Sequence, residues 1–232
     1  MIKKIIFESR DRFYFENSPR PEPAVKNLPK WWKDIPKYAE FEEFPEQSVV
    51  TVKQCAPTID VFSSGYIIKL WEDLVVEKKE DGRQEIFWNS DFEAPMVGPW
   101  DRKQSSNFEI PEGYNPNILK YNHGWIIKTP KNWSTLFIHP TAYQNLPIKA
   151  IAGIVDTDIL KTDINCPFVI KEDFEGIIPK GTPIVQLIPF KRSEWKSVFK
   201  DSPPEKLAKE QEKLLSVLYG YYSSRRVRKV YK

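Results

Sequence analysis

Two carboxylates, Asp156 and Asp158, stand two residues apart in the stretch Ala152 to Arg192, AGIVDTDILKTDINCPFVIKEDFEGIIPKGTPIVQLIPFKR. Residues i and i+2 of an extended chain project to the same side, so the pair predicts a shared acidic face. Such carboxylates serve as a general base when one of them hydrogen-bonds the water it activates. They also cap turn amides from a solvated loop, and this plainer reading takes precedence because the partner groups a reaction needs are incomplete. His123 and His139 are the two histidines of the chain. With Asp156 they have the composition of a two-His-one-carboxylate metal site, but nothing in their spacing forces convergence. A His before Pro140 reads as a structural hydrogen-bonder, and no metal ligand is assigned. Cys55 and Cys166 lack a neighbouring His or a Cys-x-x-Cys partner and read as structural thiols. The basic tail Arg225-Arg226-Val227-Arg228-Lys229-Val230-Tyr231-Lys232 has the charge to touch nucleic-acid phosphates. It equally suits a solvated helix end or an arm docked on a neighbouring subunit.

The elements that must position these groups read as strands. Gly153-Ile154-Val155 leads into the Asp loop, and Phe168-Val169-Ile170 is one apolar run. Ile177-Ile178, the turn Pro179-Lys180-Gly181 and the strand Thr182 to Ile188 follow, with Pro183 marking a strand start or an edge. Upstream, Val49–Lys53, Ile59–Leu70, Leu74–Val76, Ile86–Trp88, Gly124–Lys128, Trp133–Ile138 and Ile148–Val155 are predicted strands. Asp81-Gly82 marks a hairpin turn. Ile2 to Phe15 predicts a short strand, Ser18 to Pro23 an extended segment, and Pro29 to Lys33 a short helix whose Trp31 and Trp32 pin the N-terminal segment onto the core. Closely spaced strands with proline turns point to an antiparallel barrel or sandwich.

The 232 residues carry a net charge of only +3, which makes no general case for nucleic acid. Twenty prolines against nine glycines imply many strand ends and rigid loops. Two distant cysteines fit a reduced, cytoplasmic protein, with one long-range Cys55–Cys166 disulfide as the alternative. No apolar run approaches a membrane span, and the N-terminus MIKKIIFESRDRFYFE is not a signal peptide, so no membrane partner is expected. The expected organisation is an N-terminal arm over 1–48 packing on the core, a β domain over 49–192 with a loop-rich insertion around 89–118, and a helix with a basic tail over 193–232. In the last part Leu207, Leu214, Leu215, Leu218, Tyr221 and Tyr222 fall on one helical stripe.

The motif order from Tyr66 to Arg192 resembles the β-clip fold of trimeric dUTP pyrophosphatases and dCTP deaminases. Phe62-Ser63-Ser64-Gly65-Tyr66 is similar to the family's first strand opening. Pro130-Lys131-Asn132-Trp133, running to Ile138, is similar to the strand before its Pro-Arg-Ser phosphate loop. Gly153-Ile154-Val155-Asp156-Thr157-Asp158 resembles its Gly-Val-Ile-Asp-x-Asp uracil hairpin, and Lys180 to Leu187 its Gly-Asp-Arg-Ile-Ala-Gln-Leu strand. The chain also resembles an uncharacterised protein family carried mostly by phages, in which a Leu-Pro-x-Trp element precedes a GxVDTD hairpin and PKGTPIxQxIPFKR. The resemblance implies a homotrimer in the cytoplasm of an infected host or in a virion. It implies Asp156 as the water-orienting catalytic group if the chain is an enzyme. It implies Gly153, Ile154, Asp158, Thr141 and Gln186 as nucleotide-binding residues.

The departures set the functional expectation. His139-Pro140-Thr141 stands where the family has Pro-Arg-Ser, so the phosphate-binding Arg is absent. Ile159 stands where a Tyr follows the hairpin, and the Gly-rich lid has no counterpart. Phosphoryl chemistry depends on positioning and charge neutralisation, and these losses remove much of both. The first reading is therefore a viral, phage-type β-clip protein with a binding or structural role and without dUTP hydrolysis or an assigned cofactor. The second is a deoxynucleotide (dUTP or dCTP) pyrophosphatase or deaminase variant requiring Mg²⁺. A cupin-like metal oxygenase is a third class, and it requires a bound ion.

Overall fold

β-Branched runs cut by proline and glycine dictate short strands, and the computed structural model has them. It describes residues 3–9, 11–41, 44–89, 95–101, 103–216, 222 and 225–232, with side chains left out at 41–47, 210 and 214–216. In chain order the elements are β1 (Ile6–Glu8), α1 (Arg12–Asn17), β2 (Glu22–Pro23), α2 (Lys30–Asp34), β3 (Tyr38–Phe41) and β4 (Phe44–Val50). Then come α3 (Ala56–Ser63), β5 (Tyr66–Lys69), β6 (Leu74–Lys78), β7 (Gln84–Phe87), β8 (Val97–Pro99) and β9 (Leu119–Lys128). β10 (Trp133–Ile138), β11 (Ile148–Ala150), β12 (Gly153–Val155), β13 (Asp163–Ile170), β14 (Gly176–Ile178), β15 (Pro183–Lys191) and α4 (Pro204–Ser216) complete the chain.

The protein is mainly β, and its strand pairs are antiparallel. One sheet runs β1-β9-β13-β11, with β8 also on β9; a second runs β12-β10-β15-β5-β2. β14-β6-β7 form a third sheet, and β3-β4 a separate hairpin. These are open sheets among the described residues, not the barrel that was one expected form. Burial explains their assembly: Tyr121, Trp125 and Phe168 from the first sheet, Ile68, Ile184 and Leu187 from the second, and Leu74 and Ile178 from the third share one core. Tyr121 Oη donates to the Lys69 carbonyl at 2.8 Å and accepts from the Trp71 amide at 3.1 Å, which ties the first sheet to the end of β5.

Several predicted strands are corrected. Val49–Lys53 leaves β4 at Val50 and turns into a 3-10 helix over Val52–Gln54, where Thr51 Oγ1 accepts from the Lys53 amide at 3.2 Å. Ile148–Val155 is two strands, β11 and β12. Ile59 to Ser63 lie in α3, with Pro57 in its first turn, where a missing N–H costs nothing. Phe13 and Phe15 lie in α1, because Asp11 Oδ1 accepts from the Tyr14 amide at 2.9 Å and caps a helix there. Trp32 is buried, and its ring meets Phe62 of α3 edge-on at 4.9 Å, so this Trp does pin the N-terminal segment. That segment also adds β1 to the first sheet and β2 to the second.

Beyond β15 the chain leaves the sheets: Trp195 and Phe199 are 92% and 96% exposed. Of the predicted apolar stripe, Leu218 and Tyr221 and the side chains of Leu214 and Leu215 lie outside the described residues. The tail returns to the body. Arg226 Nη1 donates to the Ala56 carbonyl at 3.0 Å and to Asp60 Oδ1 at 3.1 Å, and Lys229 Nζ reaches Asp60 Oδ2 at 2.7 Å. No helix among the described residues is long and apolar enough to cross a membrane.

Candidate functional site

Thr157 builds the site by being buried. Its Oγ1 lies 2.7 Å from Thr129 Oγ1 and 2.8 Å from Thr135 Oγ1, so three hydroxyls satisfy one another beneath the loop after β12. The Ile159 and Leu160 amides both donate to the Asp156 carbonyl at 2.9 Å, closing the turn. With Thr157 pointing inward, the flanking carboxylates share the other face, as their spacing predicts, with Asp156 exposed and Asp158 covered.

Arg192, just past β15, meets both. Its Nη1 donates to Asp158 Oδ1 at 2.8 Å and its Nη2 to Asp158 Oδ2 at 2.6 Å, a two-pronged pairing. The same Nη1 lies 3.1 Å from Asp156 Oδ1 and 3.0 Å from Ser134 Oγ. Ser134 Oγ in turn donates to Asp156 Oδ1 at 2.6 Å, and the Asn132 amide donates to Asp158 Oδ2 at 2.7 Å. The Arg192 backbone is held by its amide donating to the Asn132 carbonyl at 2.9 Å. The guanidinium holds the Asp158 carboxyl down at about 2, and the Asn132 amide adds to that. The carboxylate in turn raises the Arg192 pKa. Asp158 is 7% exposed and acts as a structural anion, while Asp156 stays 50% exposed. Chemically, the cluster can hold a water or a polar group at Asp156 beside a cation.

The other expected site residues are placed elsewhere along the same sheet. Gly153 and Ile154 lie on β12, opposite Phe137 and Leu136, at the sheet edge. A Cβ at Gly153 would meet nothing within 4 Å, so the fold itself does not require glycine there. Thr141 and Gln186 come together with one another. Gln186 Oε1 accepts from the Thr141 amide and hydroxyl, each at 2.9 Å, and its Nε2 donates to the Val61 and Ser64 carbonyls at 2.9 and 2.7 Å. Gln186 is buried and all four of these bonds are internal, tying β15 to α3. Asp156 is bonded to Ser134 and Gln186 lies opposite Ile138, so the two groups are about 13 Å apart along β10 at about 3.3 Å per residue. Neither Asp156 nor Asp158 lines the clefts around Trp100, Trp133, Phe174 or Arg20.

The histidines do not join the carboxylates. The Ala150 amide donates to His139 Nδ1 at 3.3 Å, and His139 Nε2 meets the Tyr143 carbonyl at 2.7 Å, a neutral ring spent on structure. His123 is buried, and desolvation lowers its pKa to about 4. No group of three or more metal-ligating side chains occurs among the described residues. Cys55 and Cys166 are both free thiols, exposed and buried respectively.

Arg192 is the residue that motif reading missed. It closes the sequence stretch that carries the hairpin as a basic residue just past a strand, and only the fold brings it to carboxylates 36 and 34 residues earlier. Lys128, another cation near the hairpin, is paired to Glu8 Oε2 at 2.5 Å.

No family model matches the chain, and no curated protein matches it. Among solved structures it is similar to a mutant dUTPase of Staphylococcus bacteriophage 80alpha at 11% identity and a TM-score of 0.35, over 86% of this chain and 99% of that one. That protein is described among phage dUTPases that control transfer of virulence genes by a proto-oncogenic G protein-like mechanism. A similarity of this degree places no function on the present chain.

Proposed function

We propose that the chain is a phage-type, β-clip-like protein with a binding or structural role that does not hydrolyse deoxynucleoside triphosphates. The observation that carries this reading is the engagement of both hairpin carboxylates by Arg192. A general-base carboxylate works best with its charge unspent, and here Asp156 Oδ1 already accepts from Ser134 and from Arg192, which leaves Oδ2 for any water. An Arg in that position spreads its charge over two internal anions instead of a phosphate. The resemblance in motif order adds a domain over 49–192, an arm over 1–48, a helical tail over 193–232 and a homotrimer. Self-association is further supported by Ile154 and Ile159, which are 64% and 68% exposed on and beside the edge strand β12. Gly153, Ile154, Asp158, Thr141 and Gln186 then serve the scaffold, with the open space at Gly153 as the place where a ligand backbone contact fits.

One observation favours the second reading, a Mg²⁺-dependent dUTP or dCTP pyrophosphatase or deaminase variant. Arg192 remains 33% exposed next to half-exposed Asp156, so it supplies a cation that His139-Pro140-Thr141 lacks. A turnover screen of the purified protein against the deoxynucleoside triphosphates with Mg²⁺ separates the two. Absence of pyrophosphate or ammonia release is the expected result. Turnover that disappears in Asp156→Asn would overturn the first reading in favour of the second.

A further inference from the structure

A cleft of about 490 Å³ opens between the N-terminal segment, the start of β10 and the returning tail, and the Asp156 carboxylate does not line it. Among the described residues the charged side chains that line it are cationic, Lys3, Lys4 and Lys229 among them, and no Asp or Glu takes part. The aromatic rings of Tyr66, Trp133 and Tyr231 form part of the same wall. Lys3 Nζ stands 6.0 Å from the centroid of the Trp133 ring. Tyr66 and Tyr231 meet edge-on at 5.8 Å, and Tyr66 Oη donates to the Lys232 carbonyl at 3.2 Å, so the two halves of the wall are fixed to one another.

Some lysines of this chain are ion-paired, Lys128 with Glu8, Lys69 with Glu22, Lys30 with Asp34, and Lys229 itself with Asp60 outside the cleft. Lys3 and Lys4 have no acidic partner among the described residues. Ammonium groups gathered at a concavity repel one another unless an anion lies between them. A concavity of a few hundred Å³ takes a small molecule, and a ring wall beside cations suits a planar group that carries the anion. Stacking on aromatic side chains combined with charge on the backbone is how single-stranded nucleic acid and its monomers are held.

We infer that this cleft binds a nucleotide unit, the base against the Trp133 side and the sugar phosphate among the Lys3 and Lys4 ammonium groups. The inference is independent of any chemistry at Asp156. The ligand source is either a free nucleotide or a single strand, which share this chemistry. Titration calorimetry of the full-length protein with the four deoxynucleoside monophosphates, and fluorescence anisotropy with a labelled mixed-sequence single strand, distinguish them. Binding of a monophosphate identifies a free nucleotide, and binding of the strand alone identifies nucleic acid. In either case Lys3→Ala combined with Lys4→Ala, both exposed and outside every strand, is expected to weaken binding by about tenfold or more. Inorganic pyrophosphate, which has charge without a ring, is expected to bind at least about tenfold more weakly than the bound nucleotide or strand. Binding of neither probe, binding unchanged in the double variant, or pyrophosphate bound as tightly as the nucleobase ligand would overturn the inference. Such a failure leaves the turnover result at Asp156 untouched, because the two are measured separately.

Discussion

Arg192 sets what the hairpin carboxylates do. Its fork matches the Asp158 carboxylate, leaving Asp156 the more exposed partner. This makes a pH prediction. Asp158 has a folded-state pKa of about 2, below the roughly 3.9 of an unfolded Asp. Its contribution to stability is therefore complete above about pH 4 and is lost as pH falls toward 2, where the unfolded chain binds the extra proton first. In Arg192→Gln the clamp is gone, so the melting temperature should be lower than wild type near neutrality. The gap should narrow on acidification through that window, as read by thermal melts across pH. A gap that is constant down to pH 2 would show that the pair does not stabilise the fold.

At the scale of elements, the contact of α3 with β15 is the most demanding junction near the site. Gly65, between α3 and β5, has φ +75°, and a Cβ there would lie 1.8 Å from the Leu187 carbonyl oxygen. No side-chain rotation relieves an overlap of backbone with backbone. Gly65→Ala is expected to cost about 3 kcal/mol or more, a fall of roughly 6–12 °C in Tm for a chain of this size. Gly153→Ala is the matched control, since its Cβ meets nothing. It should melt within about 2 °C of wild type if, as a β-edge substitution, it stays within ±0.5 kcal/mol. Gln186 belongs to the same junction. Its position in a strand that resembles a nucleotide-binding one made it a ligand candidate, whereas its four internal bonds join β15, α3 and the turn after β10.

On the scale of the whole molecule, segments from both ends of the chain pack back on its body. β2 extends the second sheet at β5, and the tail clasps α3 through Asp60. Asp60 and Arg226 are 15% and 16% exposed, so this pair is partly desolvated and specific in direction. Asp60→Asn is expected to release the tail, and tryptic cleavage within 225–232 should become several-fold faster while the melting temperature of the body changes little. Cleavage at the wild-type rate would mean that the tail is held by Tyr231 and its ring contacts instead. A released tail would also open the wall of the basic cleft, so the same variant should weaken any ligand held there.

The β-rich class, the apolar ends of β9 and β13, the strands β10, β14 and β15, the Asp81-Gly82 turn and the shared face of Asp156 and Asp158 were legible from residue types, since strand alternation and turn chemistry are local; β11 and β12 read as one run. The helices α1 and α3 were not. Their β-branched and aromatic residues carry strand propensity, and only a cap at Asp11 and the packing of Phe62 on Trp32 decide otherwise. Which cation meets the hairpin, which polar residues are spent inside the fold, and how lysines from the two ends of the chain gather around Trp133 were settled by tertiary structure alone. Those are distances between residues far apart in sequence, and no local pattern encodes them.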